Sequence, residues 1–558
     1  MKTRWEVQEE HPESREADSL YGLHPVIFDV ILNRGVTQES KIRSFLNPRI
    51  SDSYDPFLLD DLEEGAERIL LAKERREKVL VVGDYDVDGI TGTTLLYTAL
   101  MGLGIEASYF IPHRLTHGYG VKGEDIDMVL ERGASLVVTV DNGIKAYDFA
   151  ARCKEEGIDL IVTDHHIPDS ELPPATYVIN PKREASRYPF RDLSGVGVAF
   201  KLVQGLYRKC GQSALLDSFL KWAAIGTVAD IVPLVDENRI FVREGFRSLS
   251  DLAEGGLKAL LTEAGVNQQT ITAEDVYFRI GPRINVAGRL EDPNLIMELF
   301  LGQGSEATTI AQSLNTLNSR RQSIEQKVLK EARRRIEKEG FFRDPVIIVE
   351  SGDWHRGVIG IASTKLVEEY GRPVILVAVE EDGRGYASGR SAGNVSLIDK
   401  IERLKELFVL KDGSLNYGGH SQAVGFSLPS ENISLLRERI REIFSPEETA
   451  IEKRYRVEAF LELSQLDDSF FDSLQRLLPF GFGNPKPLFG LLEAQLLVKS
   501  SRHGSKKVHL EVEKGGRSLP GYFWDRPGLE IQSGKRTLLF FPHRNSRGEI
   551  SLEVVDSK

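Results

Sequence analysis

Residues 79–89 read Val79-Leu80-Val81-Val82-Gly83-Asp84-Tyr85-Asp86-Val87-Asp88-Gly89. A short β-branched run stops abruptly in a loop of alternating aspartates. The run is too short for a buried helix and has no polar alternation, which predicts a strand covered on both faces. Leu136–Val140 and Leu160–Val162 have the same character, and helix-like stretches separate all three, so a parallel sheet is expected. The second and third runs are also followed by polar groups, Asp141-Asn142-Gly143 and Asp164-His165-His166. Asp230, after Ile225–Ala229, and Gly418-Gly419-His420 extend the pattern. Open α/β sheets take ligands at the carboxyl ends of their strands, so these side chains should converge there. Carboxylate oxygens with imidazole nitrogens suit a pair of divalent ions, Mn²⁺ or Mg²⁺. A carboxylate bridging two ions would hold them about 3.5–4 Å apart, the spacing that clamps both oxygens of an in-line phosphoester displacement. Metal-assisted phosphoester hydrolysis is the expected chemistry, although any single aspartate here also fits a helix N-cap.

The rest of the chain sets bounds. At 558 residues it exceeds one hydrophobic core, so three or four domains are expected. Apolar residues make up 41% and charged residues 28%, the balance of an ordinary globular protein. No apolar run reaches the roughly 18 residues of a membrane span. The start, Met1-Lys2-Thr3-Arg4-Trp5-Glu6, lacks the apolar core of a secretory signal, so a cytoplasmic protein with no membrane partner is expected. Cys153 and Cys210 have no metal spacing and read as reduced thiols. The net charge of −13 does not exclude nucleic acid, because local patches make phosphate contacts. Two patches stand out: Lys499, Arg502, Lys506, Lys507, Lys514 and Arg517, and Arg320, Arg321, Lys327, Lys330, Arg333, Arg334 and Arg335. Either could equally be a solvated face.

Residues 1–55 read as a helical segment punctuated by Pro25 and Pro48. From Asp60 to about Lys330 strands and helices are expected to alternate. Residues 305–338 contain no Gly or Pro, and Ile310, Leu314, Leu317, Ile324 and Val328 recur at helical spacing, with Arg321 on the same stripe. That predicts one long amphipathic helix over 305–340, acting as a connector. A second α/β block follows over 341–446, with strands at Val346–Val349 and Val374–Val377. Residues 447–558 hold short β-rich runs (Leu492–Val498, Val508–Val512, Thr537–Phe541) that fit a barrel of the OB type. The first α/β block then occupies 56–304.

Together these segments resemble the DHH phosphoesterase superfamily, whose signature triplet is seen at Asp164-His165-His166, and within it the RecJ family of single-strand-specific exonucleases. Val82–Gly92, Thr139–Ile144 and Thr163–His166 carry the resemblance, with Gly226-Thr227-Val228-Ala229-Asp230 and Gly281–Arg289. In the second block Trp354-His355-Arg356-Gly357-Val358-Ile359-Gly360, Ala387–Ser391 and Gly418–Gly425 resemble the DHH-associated domain. The resemblance extends from about Gly22 to the C-terminus. Val286 stands where the family usually has Ala, and Glu511 lies near a barrel position that is often basic.

The resemblance implies a fold of two α/β domains joined by a long helix, followed by an OB-type barrel. It implies a 5′→3′ exonuclease that hydrolyses single-stranded DNA to 5′-mononucleotides with two Mn²⁺ or Mg²⁺ ions, in recombination and repair. Asp84, Asp86, Asp88, Asp141, His165 and Asp230 match the metal ligands, leaving open which of Asp84 and Asp88 binds directly. Asp164 would orient an imidazole, and His166 would face the scissile phosphate beside Asp141 and His165. Arg289, Ser388 and Arg390 match a pocket for the terminal 5′-phosphate, with Arg356 and His420 lining the adjoining cleft. Gly418 and Gly419 would let the backbone approach phosphates, and Arg114 and Tyr119 would touch sugar or base. A gap between the α/β blocks would exclude duplex. Tyr522, Phe523 and Trp524 could stack on bases but read more readily as barrel core. A helicase and a single-strand-binding protein are possible partners. The competing readings are a phosphoesterase of small nucleotides, which would need neither the N-terminal segment nor the barrel, and a non-catalytic binding subunit, in which several acidic ligands would be missing.

Overall fold

The computed structural model describes residues 3–113, 117, 120–392, 395–444, 453–499, 507–524, 531–545 and 547–558, apart from the side chains of His420 and Lys453. Arg114, Tyr119, Arg502 and Lys506 therefore lie outside the described residues. The chain divides into two compact units, the larger built from Thr3–Asn285, Pro293–Ala311 and Arg454–Lys558, the smaller from Val286–Asp292 and Gln312–Lys453.

In the larger unit the first regular element is a strand, β1 (Thr3–Val7), where the sequence suggested only helices. The expected parallel strands follow as β2 (Lys78–Gly83), β3 (Ala107–Phe110), β4 (Ala134–Val140), β5 (Asp159–Thr163) and β6 (Tyr177–Ile179). The sheet order is β3-β2-β4-β5-β6, parallel throughout. Helices α1 (Leu62–Arg75) and α2 (Val87–Gly102) flank β2 in sequence. Val79 to Val82 are fully buried, each such side chain contributing about 1.5–3 kcal/mol. The chain runs from β2 out to β3, then back across to β4, so the order reverses between β2 and β4. That reversal opens a crevice at their carboxyl ends.

The expected alternation ends at Ile179. From there to Glu339 every regular element among the described residues is helical. Three of these helices shape the crevice and its surroundings: α3 (Gly195–Lys209), α4 (Leu220–Ala229) and α5 (Asp236–Ser250). Helix α4 is almost wholly apolar because all of it but Lys221 and Ala229 is buried, and such a run cannot be told from a strand by periodicity. A π-helical turn at Val276–Ile280 leads into Gly281–Asn285. The predicted connector is α6 (Gly304–Glu339), a single helix of 36 residues. On its stripe Arg321 is buried and bonds Glu325 (2.8 Å) and Asn318 (2.7 Å), so that part of the basic patch serves the helix itself.

The smaller unit carries β7 (Ile347–Ser351), α7 (Arg356–Tyr370), β8 (Val374–Val379), β9 (Arg384–Arg390), β10 (Tyr417–His420) and β11 (Ala423–Pro429). Its sheet runs β10-β11-β9-β8-β7, with only β7 and β8 parallel.

The C-terminal part belongs to the larger unit. Strand β12 (Lys453–Val457) pairs with β1, and helix α8 (Asp468–Arg476) precedes the barrel. Strands β13 (Phe489–Val498), β14 (Lys507–Lys514), β15 (Arg517–Trp524), β16 (Gly534–Arg544) and β17 (Ile550–Ser557) close into a barrel of order β13-β14-β15-β17-β16. One apolar core joins Leu23, Ile27 and Phe28 to Phe470, Phe489 and Phe540, so the N-terminal helices cover the barrel. Arg239, 1% exposed, donates from α5 to the carbonyls of Phe45, Leu477 and Leu478 at 3.0, 2.9 and 2.8 Å. No described helix is long and apolar enough to cross a membrane.

Candidate metal centre

Four of the five segments come together at the crevice. Asp84 follows β2, and Asp86 caps α2, its side chain accepting from Gly89 N at 3.1 Å. Asp88 is not in the loop, as its spacing suggested, but in the first turn of α2. Asp141 follows β4 and His165 and His166 follow β5, while Asp230 ends α4. Three sets of potential ligand atoms each lie within 4.8 Å of one another: Asp84–Asp86–Asp141, Asp88–His165–Asp230 and Asp141–His165–His166. Asp141 and His165 are shared between sets, the arrangement needed to place two ions side by side. The fifth segment, Gly418–His420, belongs to the smaller unit.

Local structure fixes each side chain. Asp141 has φ +63°, a left-handed backbone that turns its carboxylate back over the strand ends. Asn142 steadies the same turn by donating to Val82 O (3.3 Å) and Val140 O (3.0 Å). Asp164 accepts at Oδ1 from His165 N (2.7 Å), His166 N (3.1 Å) and His166 Nδ1 (2.7 Å), and at Oδ2 from Ile144 N (3.0 Å). It therefore orients His166, directing Nε2 away from itself.

Sequence reading missed the start of α3. Gly195 N and Val196 N donate to Asp88 at 2.6 and 2.9 Å, so a helix N-terminus holds that carboxylate. A Cβ at Gly195 would stand 2.5 Å from Asp141 Cβ, and one at Gly226 would stand 2.8 Å from Asp88 Oδ1. Only glycine admits both carboxylates. The one sequence signal was Ser194, an N-cap residue whose hydroxyl accepts from Gly197 N at 3.1 Å.

The electrostatics are those of a cation site. Burial, then the charge of Asp86, pushes Asp88 up to about 7 despite its two backbone donors. Burial and the charges of Asp88 and Asp86 also raise Asp141 and Asp230 well above the carboxylate range. His165 is held down at about 3 by burial and by His166, leaving a neutral imidazole able to ligate. Its Nε2 stands 3.1 Å from Asp141 Oδ1, 3.6 Å from Asp230 Oδ2 and 3.9 Å from Asp88 Oδ2. Asp230 Oδ2 is buried with no hydrogen-bond donor. A divalent cation satisfies all of these groups at once, and the oxygen-rich donor set fits Mn²⁺ or Mg²⁺.

In the smaller unit Arg289, Arg356, Ser388 and Arg390 gather around the first turns of α7, while the His420 side chain lies outside the described residues. His355 Nδ1 caps the helix by accepting from Gly357 N at 3.1 Å. Arg289 donates to Gly357 O at 3.1 Å, and Arg390 lies 3.4 Å from Ser388 Oγ. Arg356 stacks over Tyr386 at 4.6 Å. Burial, then the charges of Arg356 and Arg320, lower the His355 pKa against the opposing charge of Glu380, which stands 3.6 Å from Arg356. A helix N-terminus ringed by guanidinium groups is suited to an anion. At Gly419 a Cβ would stand 2.1 Å from Ala423 O, so the β10–β11 hairpin itself requires glycine there. On the barrel Phe523 is core, whereas Trp524 is half exposed. Lys499 is paired with Glu511 at 2.7 Å and Lys514 with Glu462 at 2.7 Å, so much of that basic patch is neutralised.

Comparison with known proteins leads the same way. Residues 78–227 match the model of the DHH family N-terminal domain, 343–445 the DHHA1 domain and 457–554 the RecJ OB domain. The chain is 35% identical over 527 residues to the single-stranded-DNA-specific exonuclease RecJ of Escherichia coli, covering 89% of this chain and 90% of that protein. It is 35% identical over 519 residues to the Bacillus subtilis protein of the same name, covering 92% of this chain and 64% of the relative. The crystal structure of RecJ from Thermus thermophilus in complex with Mn²⁺ superposes with a TM-score of 0.85 at 28% identity, over 100% of this chain and 80% of that one.

Proposed function

The chain belongs to the RecJ family of DHH phosphoesterases, and from that premise we propose that it degrades single-stranded DNA from the 5′ end, releasing 5′-mononucleotides. The observation that carries this reading is the set of three ligand groups sharing Asp141 and His165 at the strand-end crevice. Asp84, Asp86, Asp88, Asp141, His165 and Asp230 would hold two ions, Mn²⁺ or Mg²⁺. Such ions, when bound, supply a water of lowered pKa and neutralise charge on the reacting phosphate.

The protein's own groups do the rest. At His166 burial is outweighed only by the bond and charge of Asp164 together with the charges of Asp86 and Asp88, so its pKa rises and it carries a proton at Nε2 toward the departing 3′-oxygen. Asp164 keeps that imidazole in one orientation throughout. Arg289, Ser388 and Arg390 take the terminal 5′-phosphate, and Arg356 and His420 hold phosphates next to it. The presence of both the barrel and the N-terminal helices supports a polymer substrate over a small nucleotide. The same reading keeps the chain's division at about 56, 305, 341 and 447, and places its work in recombination and repair in the cytoplasm. An enzyme that needs a free single-stranded end depends on upstream opening of duplex, which fits a helicase and a single-strand-binding protein as partners.

The test is hydrolysis of end-labelled single-stranded oligonucleotides with Mn²⁺, comparing 5′-phosphate and 3′-phosphate ends beside Asp141→Ala. Mononucleotides released from the 5′ side by the wild type alone are expected. An intact oligonucleotide together with rapid dinucleotide cleavage would overturn the polymer substrate.

A further inference from the structure

Just beyond Asp230 three segments of the larger unit meet, and each holds a large apolar side chain in solvent. The chain leaves α4 as Ile231-Val232-Pro233-Leu234. Leu234 N donates to Phe482 O at 2.7 Å. A Cβ at Gly481 would stand 2.6 Å from Leu234 Cδ1 and 3.4 Å from Tyr277 Oη, and one at Gly483 would stand 2.8 Å from Pro233 Cβ. The segments around 231–234, 277–278 and 481–483 are therefore one surface. On it Ile231 is 56% exposed, Phe278 73% and Phe482 57%. Four residues reach at most about 14 Å, so this surface begins beside the metal centre.

Packing does not explain these side chains. Ile231 holds φ +60°, a left-handed backbone that is costly for a β-branched residue. Phe278 is displayed by the π-helical turn, a distortion common at functional sites. On the same stretch Arg279 is paired with Asp275 at 3.4 Å, and Arg283 donates to Arg279 O at 2.7 Å.

We propose that Phe278 and Phe482, with Ile231 beside them, form a stacking platform for nucleobases of the strand whose end lies at the metal centre. The inference rests on the exonuclease reading. Aromatic faces accept any base, as a sequence-independent nuclease requires. Continuity with Asp230 favours the substrate strand over a protein partner.

The experiment measures binding of a fluorescent single-stranded oligonucleotide to the full chain in EDTA, with a second oligonucleotide carrying abasic sites near its 5′ end, and in parallel hydrolysis of the intact strand with Mn²⁺. Phe278→Ala and Phe482→Ala are each expected to weaken binding of the intact strand about fivefold or more, and Phe278→Trp to restore it. The abasic strand should bind wild type and variants alike. Equal losses on both strands, or unchanged affinity beside a lost protein–protein association, would overturn the platform. Wild type that binds and degrades the strand, beside alanine variants of unchanged affinity, overturns the platform alone. Wild type that does neither overturns the exonuclease reading and this inference with it.

Discussion

Gly195→Ala adds one methyl group where the metal centre has no room for it. The new Cβ would lie 2.5, 2.6 and 2.7 Å from Asp141 Cβ, Oδ1 and Cγ. Carbon atoms in contact sit about 3.5–4.0 Å apart, so the start of α3 and the Asp141 carboxylate must separate by about 1 Å. Neither can move alone. Asp141 is pinned by its N–H bond to Thr163 O at 3.0 Å, and Gly195 N holds Asp88 at 2.6 Å, so retreat of the helix drags a second carboxylate with it. Overpacking of this kind costs about 1–3 kcal/mol of stability. A displacement near 1 Å in reacting geometry costs about a hundredfold in rate. The expected outcome is a folded protein with kcat on single-stranded DNA reduced about a hundredfold. Its stabilisation by Mn²⁺ should also be diminished, where the wild type at a hundred times Kd would gain about 2.7 kcal/mol. Thermal unfolding with and without Mn²⁺ and steady-state hydrolysis measure both. Gly197→Ala is the companion, since its Cβ would meet nothing nearer than Ser194 Oγ at 3.2 Å. Wild-type kcat and a full Mn²⁺ response in Gly195→Ala would refute the reasoning.

Asp164→Asn leaves one acceptor oxygen for four donors, so either Ile144 N or the His166 set loses its partner. A loss of about 1–3 kcal/mol in unfolding free energy and of about a hundredfold or more in kcat is expected, with KM little changed. Glu553 is held below its usual range by His543 at 3.0 Å, which outweighs burial, with Lys486 adding to it. A depressed carboxylate stabilises the fold above its unfolded pKa of about 4.3 and loses that contribution as pH falls through its folded value. The thermal midpoint of the barrel should therefore drop below about pH 4, and the drop should be shallower in Glu553→Gln. Burial pushes the Cys153 thiol up to about 12, while Cys210 is partly exposed, so a thiol reagent at neutral pH should label one cysteine before unfolding and two after it.

What the sequence made legible has a physical pattern. Val79–Val82, Leu136–Val140 and Leu160–Val162 were readable as strands because both of their faces are buried, leaving unbroken apolar runs. Strand β17 was not read from sequence because Glu553 and Asp556 interrupt its apolar residues, and in β15 Pro520 and Gly521 leave only the aromatic run Tyr522–Trp524 legible. Helix α4 was obscured for the opposite reason, being too apolar to show a face. Asp84, Asp141, His165 and His166 were legible because they follow apolar strands directly, whereas Asp88 and Asp230 sit on helices that the spacing did not reveal. Gly195 and Gly226 were not legible, since their role is the space they leave for residues more than fifty positions away. Ile231 was equally silent, because an apolar residue gives no sign in sequence that it will point outward.

Arg239 sets an order of events during synthesis. Its guanidinium is buried among carbonyls of Phe45 and Leu477, and the latter lies 238 residues downstream. At roughly 5–20 residues per second that partner emerges about 12–48 seconds after the arginine. Strand β1 waits longer still, since its partner β12 begins at Lys453. Until then the nascent metal-binding portion carries a guanidinium with only its Phe45 acceptor in place and a strand, β1, without its partner. The metal-binding part of the larger unit therefore completes its contacts only after the segment around residue 477 has been made.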